Sequence, residues 1–330
     1  MNNNSLSISI PGISWQKFQS LIAILLLSAL LAMLTDNFLT TENLWNVLRQ
    51  ISVNVCISVG LTLVILTAGI DLSVGSVLAF GGAVTAGLLK NGVEVPAFNL
   101  FLEFTVMGAI IAGLSVSTFL GWINGIAVTK LRIPSFIATL AMLTMARGLT
   151  MLWTGGFPIT GLGDSFTFIG TGWLLGMPMP VWITAVVVGL AMILTNKTKL
   201  GRYIYAIGDN EEAAYLSGIN VKRVKMIVYS LGGLLAGVGG LIVTARLDSA
   251  QPNAGFGYEL DAIAAVVIGG TSLYGGRGTI MGAVLGALLI GVLNNGLVLL
   301  NVSPFWQQVI KGLVILIAVG LDRFQAEGTE

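Results

Sequence analysis

In the stretch "AGIDLSVGS", Asp71 stands between two apolar runs, with Gly69 and Gly75 around it and Ser73 two residues on. An ionisable group in such a place is a functional hypothesis by default, because burying its charge in hydrocarbon costs at least about 2.5 kcal/mol. Two roles are open to it. Asp71 can cap the next helix through the amides of Leu72 to Val74, or it can join Ser73 in a translocation pathway or its gate. Asn54, Asn124, Asn294, Asn295 and Gln307, with Gln308 beside it, also interrupt apolar runs. Carboxamides offer a polyol both donors and acceptors; the same groups bond helix to helix. Arg147 and Lys311 are charges within apolar runs, and the sequence names no partner for either.

Other chemistry is missing. There is no His and a single Cys, Cys56, which leaves no disulfide framework and no Cys/His metal site within one chain. No G-x-x-x-x-G-K-[ST] loop occurs, so no residue is assigned a catalytic role, and any ATP that drives this protein is bound by another chain. No nucleic-acid partner is expected.

The elements that hold these groups follow from composition. Hydrophobic residues make up 55% of the 330 and charged residues only 9%, and the mean hydropathy is +0.91. Continuous apolar runs near the bilayer-spanning length of about 20 residues fall at 18–35, 51–70, 72–89, 104–128, 135–153, 178–195, 226–245, 260–275, 279–300 and 305–321. The expected fold is an all-α, polytopic bundle of about ten transmembrane helices. A membrane barrel would show short alternating segments instead. A single domain over 18–323 is expected between tails at 1–17 and 324–330, with the first run kept as a span rather than removed as a signal peptide.

Ten spans that begin inside place Lys17, Lys130, Arg132, Lys197, Lys199, Arg202, Lys222, Arg223, Lys225, Arg277 and Arg323 on the cytoplasmic face, against Arg49, Lys90 and Arg246 outside. That asymmetry obeys the positive-inside rule and puts both termini in the cytoplasm.

One long polar stretch, "GRYIYAIGDNEEAAYLSGINVKRVK", lies within the cytoplasmic loop 196–225. Asp209 followed by Glu212 has the spacing of a capping box, and Gly218 suits a helix stop. The spacing predicts a helix of about two turns whose small face carries Ala213, Ala214 and Ser217. Basic loops of this kind also lie against anionic lipid. A loop needing only charge has no use for start and stop signals, so a docking helix for a cytosolic partner is the sharper reading.

The blocks "LGRYIYAIGDNEEAAYLSGINVKRVK", "LTAGIDLSVGSVLAF" and "SAQPNAGFGYELDAIAAVVIGGTSLYGGRGTIMGAVLGALLIGVLNNGL" together resemble the ribose-type permease subunits of bacterial ABC sugar importers, from about Asn43 to the C-terminus. The segment Thr154–Met177 matches least, and nothing is carried over to it. The resemblance implies a homodimer in the bacterial inner membrane, a cytoplasmic ABC ATPase that binds ATP and Mg, and a periplasmic sugar-binding protein. It makes the polar stretch a coupling helix seated in the ATPase, with Gly201, Arg202, Asn210, Glu211, Ala213, Ala214, Ser217 and Gly218 as contacts. It also makes Glu42, Arg246, Asp248 and Glu259 candidates for docking the binding protein, and ribose or a related monosaccharide the cargo. An ion-coupled secondary transporter, with Asp71 as its coupling site, and a passive channel are the competing classes; neither needs a docking helix.

Overall fold

A threonine or asparagine starts many of the helices. The computed structural model, which describes residues 15–95 and 100–327, runs through α1 (Trp15–Leu34), α2 (Thr41–Leu66), α3 (Val74–Asn91), β1 (Val93–Val95), β2 (Leu100–Leu102), α4 (Val106–Thr129), α5 (Ser135–Thr154) and β3 (Ile159–Thr160). It continues through α6 (Asp164–Thr171), β4 (Trp173–Leu174), β5 (Met177–Pro178), α7 (Met179–Lys197), α8 (Lys199–Asp209), α9 (Glu211–Leu216), α10 (Val221–Arg246), β6 (Ser249–Ala250), α11 (Tyr258–Ile268), α12 (Ile280–Leu299) and α13 (Pro304–Glu327). The side chains of Thr40, Thr105, Thr198, Asn220 and Thr279 accept from free amides in the first turns of α2, α4, α8, α10 and α12. Each cap satisfies a donor that would otherwise be stranded at a helix end.

Among the described residues, seven helices, α2, α3, α4, α5, α7, α10 and α12, are long and apolar enough to cross a membrane, and shorter apolar stretches lie in α1 and α13. In its most apolar window α2 is 83% buried and α7 only 17%, so α2 is central and α7 peripheral. α10 packs on α2, α3, α4 and α6. Glycine makes that possible: a Cβ at Gly121 of α4 would strike the Tyr229 carbonyl of α10, and one at Gly233 of α10 would strike the Ser117 carbonyl of α4. Small residues let the two backbones meet, which is how apolar helices associate in lipid.

The sequence reading and the structure part in two places. The run at 260–275 is helical only to Ile268, where α11 ends, and the chain then runs through turns to α12. Glycine and Ser272 crowd the second half of that run, and Gly270, Gly275 and Gly276 all have positive φ, a backbone that no helix continues. The segment 154–178 carries α6 and three short strands that the hydropathy pattern did not reveal; β3 pairs antiparallel with β6, and β4 with β5. The expected tails at 1–17 and 324–330 lie partly outside the described residues, whose first helix begins at Trp15 and whose last ends at Glu327.

Residues 249–255 run alongside α3, where a Cβ at Gly75 would strike the Gly255 carbonyl, and α11 then packs mainly on α12, α2 and α13. Lys90, at the end of α3, donates to the Gly161 carbonyl, and Gly161 N–H donates to the Asp248 carbonyl beside β6. At the end of α2, the Gly276 amide donates to the Leu66 carbonyl at 3.1 Å. The chain therefore passes from the Lys90 end of α3 to the Leu66 end of α2 between β6 and Gly276, with one 11-residue helix on the way.

Candidate coupling and translocation sites

α8 and α9 form the polar stretch singled out by the sequence. α8 turns Gly201, Ile204 and Ile207 inward and leaves Arg202 exposed, the i, i+3 spacing of a half-buried helix. The helix start lies one residue later than expected. Asp209 is the last residue of α8, and Asn210 caps α9, its Oδ1 accepting from the Ala213 amide at 2.8 Å. Asn210 has extended backbone (φ −154°), as an N-cap requires, while Asp209 is still helical. Glu212 therefore has no reciprocal capping role. Gly218, at φ +82°, ends the helix as the sequence suggests, with Ile219 N–H donating to the Ala214 carbonyl at 3.1 Å.

The small face divides. Ala213, Ser217 and Gly218 are exposed, but Ala214 is only 4% exposed and packs into the core. Glu211 turns to its own chain, its carboxylate meeting Lys225 of α10 at 2.6 Å. Exposed Tyr215 and Leu216 border a groove of about 1160 Å³ that Arg132, Lys222 and Lys225 also line. This surface mixes apolar and charged groups, as protein-docking patches do.

α8 also touches two of the blocks that lie far away in sequence. The Tyr205 hydroxyl donates to the Gly278 carbonyl at 2.9 Å, and burial pushes its pKa up, so it remains a donor. A Cβ on Gly208 would collide with the Leu66 carbonyl and the Gly276 amide. Hence "LTAGID", "YGGRG" and the polar stretch converge at the end of α8.

Asp71 lies directly beyond Leu66, 1% exposed. Its Oδ1 accepts from the Ser73 amide at 2.8 Å and the Ser73 hydroxyl at 2.6 Å, an Asx turn. Ser73 occupies the N-cap position of α3 and makes no side-chain cap bond of its own. Asn124 of α4 completes the cluster, donating to the Ser73 oxygen at 2.9 Å. The expected cap through Leu72 to Val74 thus narrows to Ser73. α5 supplies the rest: the Ile70 amide donates to Ser135 Oγ, the Leu72 amide to Thr139 Oγ1, and Thr139 donates to the Ile70 carbonyl. Sequence reasoning missed Ser135 and Thr139, which carry no motif and lie more than sixty positions away.

The remaining span amides mostly bond to the protein. Asn295 of α12 and Asn43 of α2 exchange reciprocal hydrogen bonds at 2.8 and 3.0 Å. Asn294 donates to Asp261 at 3.4 Å, and Lys311 meets the same carboxylate oxygen at 2.9 Å. Gln307 donates to the Val302 carbonyl, and Asn54 is buried on α2. Arg147 donates to the carbonyls of Pro252 and Ala254. Both orphan charges of the sequence thus have partners.

Among the residues assigned to binding-protein docking, Glu42 is exposed, Arg246 and Glu259 are half-buried, and Asp248 is held at φ +45° with its carboxylate accepting from the Leu162 amide at 2.8 Å.

Residues 43–319 match the family model described as "Branched-chain amino acid transport system / permease component". The chain belongs to this permease family. The permease is 53% identical to the ribose import permease protein RbsC of Escherichia coli (strain K12) over 308 residues, covering 92% of each chain. It is 50% identical to the RbsC proteins of Haemophilus influenzae and Bacillus subtilis (strain 168), each over 310 residues and 93% of both chains. No solved structure matches it.

Proposed function

We propose that this permease is the membrane subunit of an ATP-driven importer that carries ribose or a related monosaccharide into the bacterial cell. The carrying observation is the meeting of α8 with Leu66 and the 275–278 loop. A cytosolic ABC ATPase docked on α8 and α9 can move the chain next to Asp71 through Tyr205 and Gly208 without any covalent chemistry. The ribose assignment rests on identities of about half with proteins named ribose import permeases.

In this reading the permease works as a homodimer in the inner membrane. Both termini are cytoplasmic and the chain crosses ten times, the 249–279 segment making one crossing with its short helix. The ATPase binds ATP and Mg and contacts Arg202, Ala213, Ser217, Gly218 and the neighbouring Tyr215 and Leu216, while Gly201, Asn210, Glu211 and Ala214 hold the docking helices in place. A periplasmic binding protein delivers the sugar to the opposite face, near Glu42, Arg246, Asp248 and Glu259. Asp71, Ser73 and Asn124 shape a gate beside the pathway; Asn54, Asn294, Asn295 and Gln307 lie on helices around it. ATP drives the cycle because it favours one dimer state over the other by differential affinity.

The test is uptake of labelled ribose into vesicles holding this permease, the ATPase and a ribose-loaded binding protein, with each omitted in turn. Uptake requiring all three is expected. Uptake by the permease alone under an ion gradient would overturn the proposal and make Asp71 a coupling site.

A further inference from the structure

Asp261 lies in the first turn of α11. A carboxylate there ordinarily turns back toward the free amides of its own helix start. This one reaches sideways: its Oδ2 meets Lys311 Nζ of α13 at 2.9 Å and accepts from Asn294 Nδ2 of α12 at 3.4 Å. Asp261 is 5% exposed and Lys311 29%. Neither charge is cheap in such surroundings, since a lysine or aspartate at the centre of an apolar span costs about 2.5–3.5 kcal/mol, and apolar residues of similar volume often hold helices together as well as a buried pair does. Stability alone is a poor reason for the arrangement.

The position of α11 supplies a better one. Upstream, Arg147 of α5 grips the 251–257 turn through the Pro252 and Ala254 carbonyls at 2.7 and 2.8 Å. Downstream, the chain from Gly269 leads to the Gly276 amide on Leu66 and the Gly278 carbonyl on Tyr205 of α8. α11 is thus a short rod whose far end is joined to α8. A displacement at Gly278 reaches α11 along the backbone, and what α11 does with it depends on where its first turn is held.

We infer that Lys311 is a positioning residue of the transport cycle, fixing the first turn of α11 through Asp261 so that movement of α8 tilts α11 about that point instead of sliding it. The inference rests on the importer reading, in which α8 is moved by the ATPase. Lys311 touches neither sugar nor nucleotide; it acts through Asp261, with Asn294 as the second donor that orients the carboxylate.

The test uses the complete transporter in vesicles, with ribose moved and ATP hydrolysed measured together. The pair is neutralised as a unit, Asp261→Asn with Lys311→Met, which leaves no unpaired buried charge. Sugar moved per ATP is expected to fall about tenfold while ATP turnover stays at the wild-type rate, a change in the range that residues of a coupling network produce, and the exchanged pair Asp261→Lys with Lys311→Asp is expected to regain part of it. A wild-type ratio in the neutral variant would overturn the inference. If that variant does not assemble, the reading moves to Asp261→Asn alone, which keeps the side-chain volume and leaves Lys311, 29% exposed, able to extend its charge toward solvent: a lowered ratio supports the inference, and a wild-type ratio overturns it. Absence of ATP-dependent uptake by the wild-type complex would instead count against the importer reading, so the two failures are distinct.

Discussion

Tyr205 donates its hydroxyl to the carbonyl of Gly278, 73 positions further along the chain. The bond ties α8 to the loop that follows α11. Tyr205→Phe removes it while keeping the ring, and a hydrogen bond of this kind contributes about 0.5–1.5 kcal/mol. The expected outcome is a folded, ATPase-binding permease with less sugar moved per ATP, read by paired uptake and phosphate-release assays. Unchanged stoichiometry would separate α8 from the coupling route.

Gly208 has backbone on two sides. A methyl there meets the Leu66 carbonyl and the Gly276 amide, neither of which can rotate away, and overpacking of this sort costs about 1–3 kcal/mol. Gly208→Ala should lower the melting temperature in detergent. Gly189→Ala, on α7 with open space at its Cβ position, is the control and should hold or raise it, because alanine favours a helix by about 1 kcal/mol over glycine. Equal melting temperatures for the two variants would contradict the close packing.

Ala213 and Ala214 are neighbours with opposite fates, one exposed and one in the core. Ala213→Arg should abolish co-purification of the ATPase and leave thermal stability within about 0.5 kcal/mol, as surface changes do. Ala214→Arg should lose both, since it buries a charge in the packing beneath α9. Normal ATPase capture by Ala213→Arg would remove α9 from the docking surface.

The reciprocal amides of Asn43 and Asn295 call for a double-mutant cycle. Either Asn→Leu change leaves the other buried amide short of a partner, at about 1–3 kcal/mol, whereas the double Leu variant removes both amides and gives up only the Asn43 bond to the Phe38 carbonyl. An interaction energy of about 0.6–1.7 kcal/mol is expected from membrane helix pairs, measured by unfolding in detergent. Additive single effects would show that the two amides do not depend on each other.

Much of this architecture was legible in hydropathy and in one helix stop, because both are local. The seven long apolar helices fall within or around expected runs, and Gly218 ends its helix as its type suggests. What stayed hidden depends on distance in sequence. Lys311 finds Asp261 fifty positions away, and Thr139 finds the Ile70 and Leu72 backbone nearly seventy away; neither pair has a spacing that any helix or strand period would flag. The capping error at Asp209 was of a different kind. Asp209 and Asn210 are both good caps by type, and the choice was made by α8 continuing through Asp209, a packing decision led by buried Ile204 and Ile207. The 260–275 run misled because burial in protein, as well as in lipid, favours apolar residues.

The make-up of that run bears on how the chain is assembled during synthesis. An 11-residue apolar helix followed by turns is shorter than the roughly 20 residues that partition into lipid unaided, and its turns expose amides and carbonyls that hydrocarbon cannot satisfy. Most of those groups pair within the segment itself, and the Gly276 amide finds the Leu66 carbonyl of α2, which is made some two hundred residues earlier. During synthesis the segment therefore meets α2, already made, on one side and waits for α12 and α13 on the other, so a chain truncated after Ile268 would lack two of the helices that house α11.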